Sequence, residues 1–313
     1  MSGSDGSRKA IFAAFAANLG IAVAKFVGFV FTHSSSMLAE AVHSLADTGN
    51  QLLLLLGARR AARPATAEHA FGFGRERYFW AFVVALVLFI GGATFAIYEG
   101  IEKILHPHEL ESPEWAIGIL LVAMVLESFS LRTAWREARH ADVERVGMVR
   151  FVRRSRAPEL PVVLLEDTGA LAGLLLALGG VTLTLVTDEP IFDGIGTLCI
   201  GILLALIAVT LAVEMKSLLI GESAVPEEER RINEALVGGP EVYSVIHLRT
   251  QHLGPDDLLV AAKLEFDDDL TMPELARAID AAEARVRAQV PAARLMFLEP
   301  DLRRRPLDDA QRR

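Results

Sequence analysis

The apolar positions of the chain form six long runs, each close to the length that a membrane helix needs. A bilayer core of about 30 Å requires roughly 20 apolar residues in a helix. We predict spans at about residues 10–32, 35–57, 79–104, 114–135, 161–187 and 191–214. Runs such as FWAFVVALVLFIGGATFAI are apolar on every face, which disfavours a soluble helical bundle. The first run lacks a small-residue cleavage site, so we interpret it as a span rather than a cleaved signal peptide.

The pattern changes at about residue 219, where the sequence becomes typical of a soluble domain. A helix in PEEERRINEAL precedes two strands, VYSVIHLRTQHLG and DDLLVAAKLEFD, which the turn sequence GPDD joins. An amphipathic helix, MPELARAIDAAEARVRAQV, and a last strand, ARLMFLEP, follow. The order α-β-β-α-β predicts a small open-faced α/β sandwich. The predicted divisions are a six-helix transmembrane domain (1–218), a small α/β domain (219–302) and a disordered tail (303–313).

Charge and composition add the orientation. The chain is 52% hydrophobic with a mean hydropathy of +0.37 and a net charge of -9. Arginines gather in the loops after spans two and four, whereas the loops THSSS, HPHELESPE and VTDEP carry no Lys or Arg. The positive-inside rule therefore predicts that both termini are cytoplasmic. The same rule accounts for the arginine-rich loop after span four, so no nucleic-acid partner is predicted. The single cysteine, Cys199, excludes a disulfide framework within the chain and a Cys zinc cluster.

A polar stripe runs along the second predicted span. Its members follow each other at steps that keep them near one helix face: Glu40, His43, Asp47, Asn50 and Gln51. An imidazole and a carboxylate one turn apart have the spacing of metal ligands, and Asp47 lies about 18 Å along the helix from Ser35, near the bilayer midplane. We interpret His43 and Asp47 as half of a metal site, the alternative being hydrogen bonds to each other or to another helix.

The fifth predicted span supplies candidates for the other half. Glu166 and Asp167 are adjacent, so they point about 100° apart and we expect only one of them to face the metal. The other would meet water, an arginine or a proton path. Glu127 in span four is a candidate proton-coupling carboxylate, with a helix-packing hydrogen bond as the alternative. For Lys25 we expect an ion pair with a carboxylate, and for Asp193 a role at a helix N-terminus.

Several segments resemble the cation diffusion facilitator family, and the resemblance covers nearly the whole chain. They are HSLAD in span two, HAFGFGRERY at 69–78, YEGIEKILHP at the end of span three, and the C-terminal domain. HSLADTGNQ and VVLLEDTGALAG resemble the zinc transporter 9-type branch of that family. The resemblance implies a six-helix metal–proton antiporter with a ferredoxin-like cytosolic domain, which forms a homodimer.

The family's transport site takes two residues four apart on helix two and two residues four apart on helix five. Carried over, the resemblance implies His43, Asp47 and Asp167, but Val163 occupies the remaining position. An apolar side chain cannot bind a cation, so the usual four-ligand site is incomplete. The candidates for the fourth ligand are Glu166, Asn50 and a water molecule.

Other metal positions of the family look absent. In the loop after helix two His69 remains, while Thr66 and Phe73 stand at the other ligand positions. Lys263 and Leu298 replace histidines that are frequent in the cytosolic domain. His247 and His252 are interpreted as surface histidines, and no metal-sensing cluster is predicted.

Nitrogen and carboxylate ligands suit Zn²⁺ first, and protons compete with metal for such ligands. We therefore predict a zinc exporter of the cell (inner or plasma) membrane that works by proton antiport with alternating access. Its expected partners are divalent metal ions, protons, the lipid bilayer and a second copy of the chain. No prosthetic group is expected, and no nucleophile elbow or glycine-rich phosphate loop suggests an enzyme. The competing hypothesis is a transport-inactive scaffold or regulatory relative, suggested by Val163.

Overall fold

The computed structural model describes residues 19–110, 113–141, 152 and 155–301. The start of the first predicted span and the predicted tail at 303–313 lie outside this part of the chain. The chain divides into two compact units. We call Met1–Arg60 with Glu76–Lys216 the membrane unit, and Ala61–Arg75 with Ser217–Arg313 the C-terminal unit.

The six predicted spans are helical wherever the structure describes them. The helices are α1 Leu19–Thr32, α2 Ser35–Ala61, α3 Glu76–Leu105, α4 Pro113–Ala141, α5 Glu159–Thr187 and α6 Ile191–Ile220. In the described residues, α3 to α6 are long and apolar enough to cross a membrane, and α1 is a shorter apolar helix. Helix α2 has 27 residues, but its polar stripe lowers its mean hydropathy.

The N-terminus of α2 is capped by a side chain from α6. Asp193 Oδ2 accepts a hydrogen bond of 2.8 Å from the backbone N–H of Ser35, and its Oδ1 accepts one of 2.9 Å from Ser34 Oγ. A carboxylate satisfies free N–H groups at a helix start and interacts favourably with the helix dipole. Asp193 lies in the first turn of α6 as predicted, but the hydrogen-bond partners of its carboxylate lie at the start of α2.

Glycines allow α3 and α6 to approach closely. A Cβ atom at Gly100 would lie 2.6 Å from the backbone nitrogen of Leu198, and one at Gly201 would lie 2.6 Å from that of Ile97. Small residues at such contacts let two membrane helices pack backbone to backbone. Close to this contact, Leu88–Thr94 of α3 forms a π-helical segment, the kind of bulge that often marks functional helices.

The C-terminal unit contains the α-β-β-α-β order predicted from the sequence. Its elements are α7 Pro226–Leu236, β1 Val242–Gly254, β2 Asp257–Phe266, α8 Met272–Gln289 and β3 Leu295–Pro300. Strand β2 lies in the centre, antiparallel to β1 and parallel to β3. Alternating apolar residues of the strands pack against Ile232 and Leu236 of α7 and Val286 of α8, which forms one buried core.

One histidine of this unit corrects a prediction. His252 was expected at the surface, but it is 2% exposed, whereas His247 is exposed. The last residues of β1 are covered because the loop after α2 packs on them. A Cβ atom at Gly74 of this loop would lie 2.6 Å from the carbonyl oxygen of Leu253. The alternating pattern of a strand could not reveal a cover supplied by a distant loop.

Candidate metal centre

Helix α2 has a buried polar face and an exposed apolar face. Glu40, His43 and Asn50 are at most 1% exposed, whereas Leu45 and Leu52 are 57% and 51% exposed. This is the reverse of a soluble amphipathic helix, and it fits a helix whose leucines face lipid. The polar stripe predicted from the sequence therefore lies among the neighbouring helices.

His43 and Asp47 lie together, but they leave most of their polar atoms unused. His43 Nε2 is 3.5 Å from Asp47 Oδ2. Among the residues that the structure describes, neither ring nitrogen of His43 nor Asp47 Oδ1 has a hydrogen-bond partner. Buried polar atoms without partners are costly, and a bound cation would satisfy atoms of these types. The alternative of a plain hydrogen-bonded pair does not account for them.

The two carboxylates of α5 point to different helices. Glu166 is 4% exposed and its Oε1 accepts a 2.6 Å hydrogen bond from Asn50 Nδ2 of α2. Asp167 is half-buried and its Oδ2 accepts a 2.8 Å hydrogen bond from Ser130 Oγ of α4. The two adjacent side chains point to different helices, and the hydrogen-bond partner of Asp167 is a serine rather than an arginine. The structure links Glu166 to the α2 stripe, and Asp167 as a metal ligand stays a prediction.

Val163, which replaces a family ligand, belongs to an apolar contact. It packs against a small cluster of Ala134, Ala138 and Leu164 between α4 and α5. In the described part of the chain, no group of three or more His, Cys, Asp or Glu side chains is close enough to hold a metal ion. The arrangement therefore provides His43 and Asp47 on α2 as candidate ligands, and Glu166 of α5 is hydrogen-bonded to the same face of α2 through Asn50.

A second polar group lies beside the stripe. Lys25 of α1 is fully buried, and its Nζ donates to Glu40 Oε2 at 3.0 Å and to Ser44 Oγ at 2.7 Å. Glu127 Oε1 of α4 is 3.9 Å from the same nitrogen. The ion pair expected for Lys25 is confirmed. The sequence analysis did not identify its partners. Glu40 and Ser44 lie one turn apart on the polar side of α2, and this spacing could have indicated a shared partner.

An ion pair joins the start of α5 to the start of α3. Arg77 Nε and Nη2 donate to the two carboxylate oxygens of Glu159, at 2.5 and 2.9 Å. Glu159 lies in the first turn of α5, seven residues before Glu166. From the sequence, Arg77 was part of the positive-inside pattern and of the segment HAFGFGRERY, and no partner was predicted for it. The bidentate pair ties the start of α3 to the helix that carries the α5 carboxylates.

The remaining family positions are engaged in other contacts. The ring of His69 lies on that of Phe73, with centroids 4.5 Å apart. Lys263 Nζ forms ion pairs with Glu299 at 3.0 Å and Asp301 at 3.1 Å, and these carboxylates raise the pKa of the ammonium group. In the described residues of the C-terminal unit, these positions form no metal-binding group.

A multi-pass helical protein with an intramembrane polar stripe and a small α/β domain is the architecture of a membrane transport family. The family model described as "Cation efflux transmembrane domain" matches residues 11–220, and "Cation efflux protein, cytoplasmic domain" matches residues 224–297. The chain belongs to the cation efflux family, a family of transporters rather than enzymes. The resemblance to cation diffusion facilitators predicted from the sequence is confirmed.

Curated relatives come from animals, plants and bacteria. The chain is 34% identical over 244 residues to "Proton-coupled zinc antiporter SLC30A9, mitochondrial" of Homo sapiens, covering 78% of this chain and 43% of that protein. It is 26% identical over 267 residues to "Metal tolerance protein C4" of Arabidopsis thaliana, covering 85% and 58%. It is 30% identical over 291 residues to "Cation-efflux pump FieF" of Pectobacterium atrosepticum, covering 92% and 90%.

The chain thus spans less than half of the human relative's length, but nearly all of the bacterial pump. A solved structure of a MamM C-terminal domain is 26% identical, covers 25% of this chain and 94% of its own, and has a TM-score of 0.24.

Proposed function

We propose that this protein exports a divalent metal cation, zinc in the first place, from the cytoplasm in exchange for protons. Membership of the cation efflux family supports transport of a cation. The observation that carries the proposal is the row of buried polar atoms on α2 that lack partners in the described residues, at His43, Asp47 and Asn50. A transported cation binds and is then released, so the polar atoms that bind it have no partner after its release.

The proposed ligands are His43 and Asp47 of α2 with Glu166 of α5. One imidazole nitrogen and two carboxylates suit Zn²⁺, and zinc also occurs with three protein ligands and a water molecule in the fourth position. Glu166 is favoured over Asp167 because its hydrogen bond to Asn50 holds it on the α2 face. Asp167, the α5 ligand implied by the family pattern, is the alternative.

The coupling to protons follows from competition for the same ligands. Imidazole and carboxylate groups bind metal only when deprotonated, so metal and protons exclude each other. Because three ligands are not assembled in the described residues, we infer that metal draws α2 and α5 together, and that protonation from the outer side lets them separate. Glu127 is the proposed proton-coupling carboxylate.

The finer features of the proposal draw on the relatives. The human relative's name includes both zinc and proton coupling, and the bacterial one is called a cation-efflux pump. By the positive-inside rule both termini are cytoplasmic. The cell membrane is proposed as the location, because the chain covers nearly all of the bacterial pump. A homodimer is proposed because the C-terminal family domain is one that its model calls a dimer domain.

The test is zinc flux in proteoliposomes under an imposed pH gradient, with manganese and cadmium as comparison ions. We expect gradient-dependent zinc flux that His43→Ala and Asp47→Ala each abolish. His247→Ala is the matched control, since His247 is an exposed histidine of β1 and should leave the flux unchanged. Wild-type flux that survives both α2 substitutions would refute the proposal.

A second candidate is a membrane scaffold or regulator without transport. It is favoured by the apolar packing of Val163 at a family ligand position. Metal tolerance of a metal-sensitive host that expresses the protein separates the two, because a scaffold confers none.

A further inference from the structure

The ammonium group of Lys25 occupies a position that resembles a cation site. It is surrounded by oxygen atoms from two other helices, namely Glu40 and Ser44 of α2 and Glu127 of α4, at 3.0, 2.7 and 3.9 Å. Lys25 and Glu40 are fully buried, and Ser44 and Glu127 are at most 9% exposed. Two carboxyl groups and a hydroxyl group around one positive centre form the oxygen environment that hard cations prefer.

The carboxylate of Glu40 has binding capacity to spare. Its Oε2 accepts from Lys25, whereas Oε1 is buried and has no hydrogen-bond partner among the described residues. Oε1 lies against Gly173 of α5, where an added Cβ atom would collide with it. The glycine makes room for a carboxylate oxygen that the lysine alone does not satisfy.

This group is adjacent to the proposed transport site. Glu40 lies three residues before His43, and Ser44 lies three residues before Asp47. Residues three apart are neighbours on a helix surface, so each proposed zinc ligand has a member of the Lys25 group beside it on α2. Without the ammonium group, two buried carboxyl groups would stand one turn from the proposed zinc ligands. A second divalent cation would then have oxygen ligands next to the first.

We propose that Lys25 fills a cation subsite of the protein with its own ammonium group. The tethered charge keeps a second, hard divalent cation out, so that the transport region holds one metal ion with a nitrogen ligand. This inference deepens the proposed function, since it concerns the cation capacity of the same region.

A plain structural ion pair makes a different prediction. Removal of Lys25 would leave buried carboxyl groups unpaired in either case, which lowers stability. If the lysine is only structural, stability returns when the carboxyl groups are also neutralised, and added cations do nothing. If the lysine fills a subsite, a divalent cation in the buffer replaces it and restores stability by binding the folded state.

The experiment uses the full chain in detergent with Mn²⁺ as the probe. All variants carry His43→Ala, which removes a proposed zinc ligand from the neighbouring site. On this background, Lys25→Met should gain one bound Mn²⁺ per chain in equilibrium dialysis and show a Mn²⁺-dependent rise of its thermal midpoint. Adding Glu40→Gln should abolish both effects. A folded Lys25→Met variant that gains no Mn²⁺ overturns the inference.

Two controls and one substitute variant complete the design. Lys25→Arg keeps a cation in place and should gain no Mn²⁺. Lys263→Met removes a lysine that also pairs with two carboxylates, Glu299 at 3.0 Å and Asp301 at 3.1 Å, but at a partly exposed site, and should gain none. If Lys25→Met does not fold, Lys25→Gln replaces it, because the neutral amide removes the positive charge, keeps both carboxyl groups and can still form a hydrogen bond with Glu40 or Ser44. A Mn²⁺-dependent midpoint in this variant supports the inference, and its absence overturns it.

The two proposals fail separately. Absence of zinc flux in the wild-type protein would refute the proposed function, whereas the Mn²⁺ binding of Lys25→Met is measured without any flux and with His43 removed.

Discussion

The membrane unit and the C-terminal unit use charged side chains in opposite ways. Lys25 and Glu40 are 3.0 Å apart with both side chains fully buried. Arg230 and Glu227 of α7 are closer, at 2.6 Å, but their side chains are 58% and 43% exposed. Removal of one partner should cost less at the shorter contact, since water solvates the charge that remains there, whereas a lone buried charge is costly. Burial, rather than distance, decides which charges matter.

The same contrast applies to satisfied and unsatisfied groups. In α7, Arg230 bonds Glu227 and Glu234 one turn away on each side, so the charges serve each other within one helix. In α2, polar atoms of His43, Asp47 and Asn50 are buried without partners in the described residues. Such atoms call for an explanation, and a ligand that satisfies them is one; the row of them along α2 is why the proposals concern the membrane unit.

The largest expected effect separates the two carboxylates of α5. Glu166→Gln should reduce the initial rate of zinc flux by about 100-fold or more, because it removes a proposed ligand on the α2 face. Asp167→Asn should reduce it by about tenfold or less, because Asp167 bonds Ser130 of α4 instead. Both replacements are nearly isosteric, so each serves as the control for the other.

The opposite ranking would assign the ligand to Asp167, as the family pattern implies. Equal and large losses would mean that both carboxylates enter the metal site when the helices move. Zinc affinity, measured by calorimetry on the same variants, separates a binding defect from a slow conformational step.

The sequence predicted the helices and strands well because their patterns are local. Six apolar runs and one α-β-β-α-β order follow from periods that each segment carries by itself. The polar stripe of α2 was also visible, since His43 and Asp47 are one turn apart in any helix. Where a prediction concerned only the helix or strand character of one segment, the structure agrees with it.

Partners on other helices were beyond the reach of spacing. The contacts of Glu166 with Asn50, of Lys25 with Glu40 and of Arg77 with Glu159 join residues 116, 15 and 82 positions apart. Helix rotation about its axis decides which of two adjacent residues faces a given neighbour, and packing fixes that rotation. Likewise, the end of the strand that carries His252 is packed against a loop nearly two hundred residues earlier in the chain, at Gly74.

An intermediate effect is expected for the ion pair between α3 and α5. Arg77→Glu places like charges at the helix starts and should lower the thermal midpoint and the flux. Arg77→Glu with Glu159→Arg restores opposite charges and should recover part of both. A double-mutant cycle on unfolding should give a coupling energy of about 1 kcal/mol, because the pair is bidentate but partly exposed.

Additive effects of Arg77→Glu and Glu159→Arg would show that the two charges act independently. This pair is less buried than Lys25–Glu40 and less exposed than Arg230–Glu227. Additive effects would therefore contradict the idea that the coupling between two charges grows with their burial.

The smallest expected effect lies in the C-terminal unit, at the start of α8. Thr271 and Glu274 form a capping box, in which Glu274 Oε2 accepts from the backbone nitrogen of Thr271 at 2.9 Å and from its hydroxyl group at 2.6 Å. Thr271→Ala should destabilise the first turn of α8 by about 1 kcal/mol. Amide hydrogen exchange of the full chain measures this locally, with Arg230→Ala as an exposed-pair control that should change less.

The capping box also predicts a dependence on pH. Hydrogen bonds from the side chain and the backbone of Thr271 lower the pKa of Glu274 below its ordinary value. Its stabilising contribution is therefore complete above the unfolded-state pKa of Glu and is lost as the pH falls through the lowered folded-state pKa. Protection of the first turn of α8, corrected for intrinsic exchange, should decline in acid in the wild type and much less in Thr271→Ala. An equal decline in both would show that exposed hydrogen bonds contribute too little here for the comparison of the two units to detect.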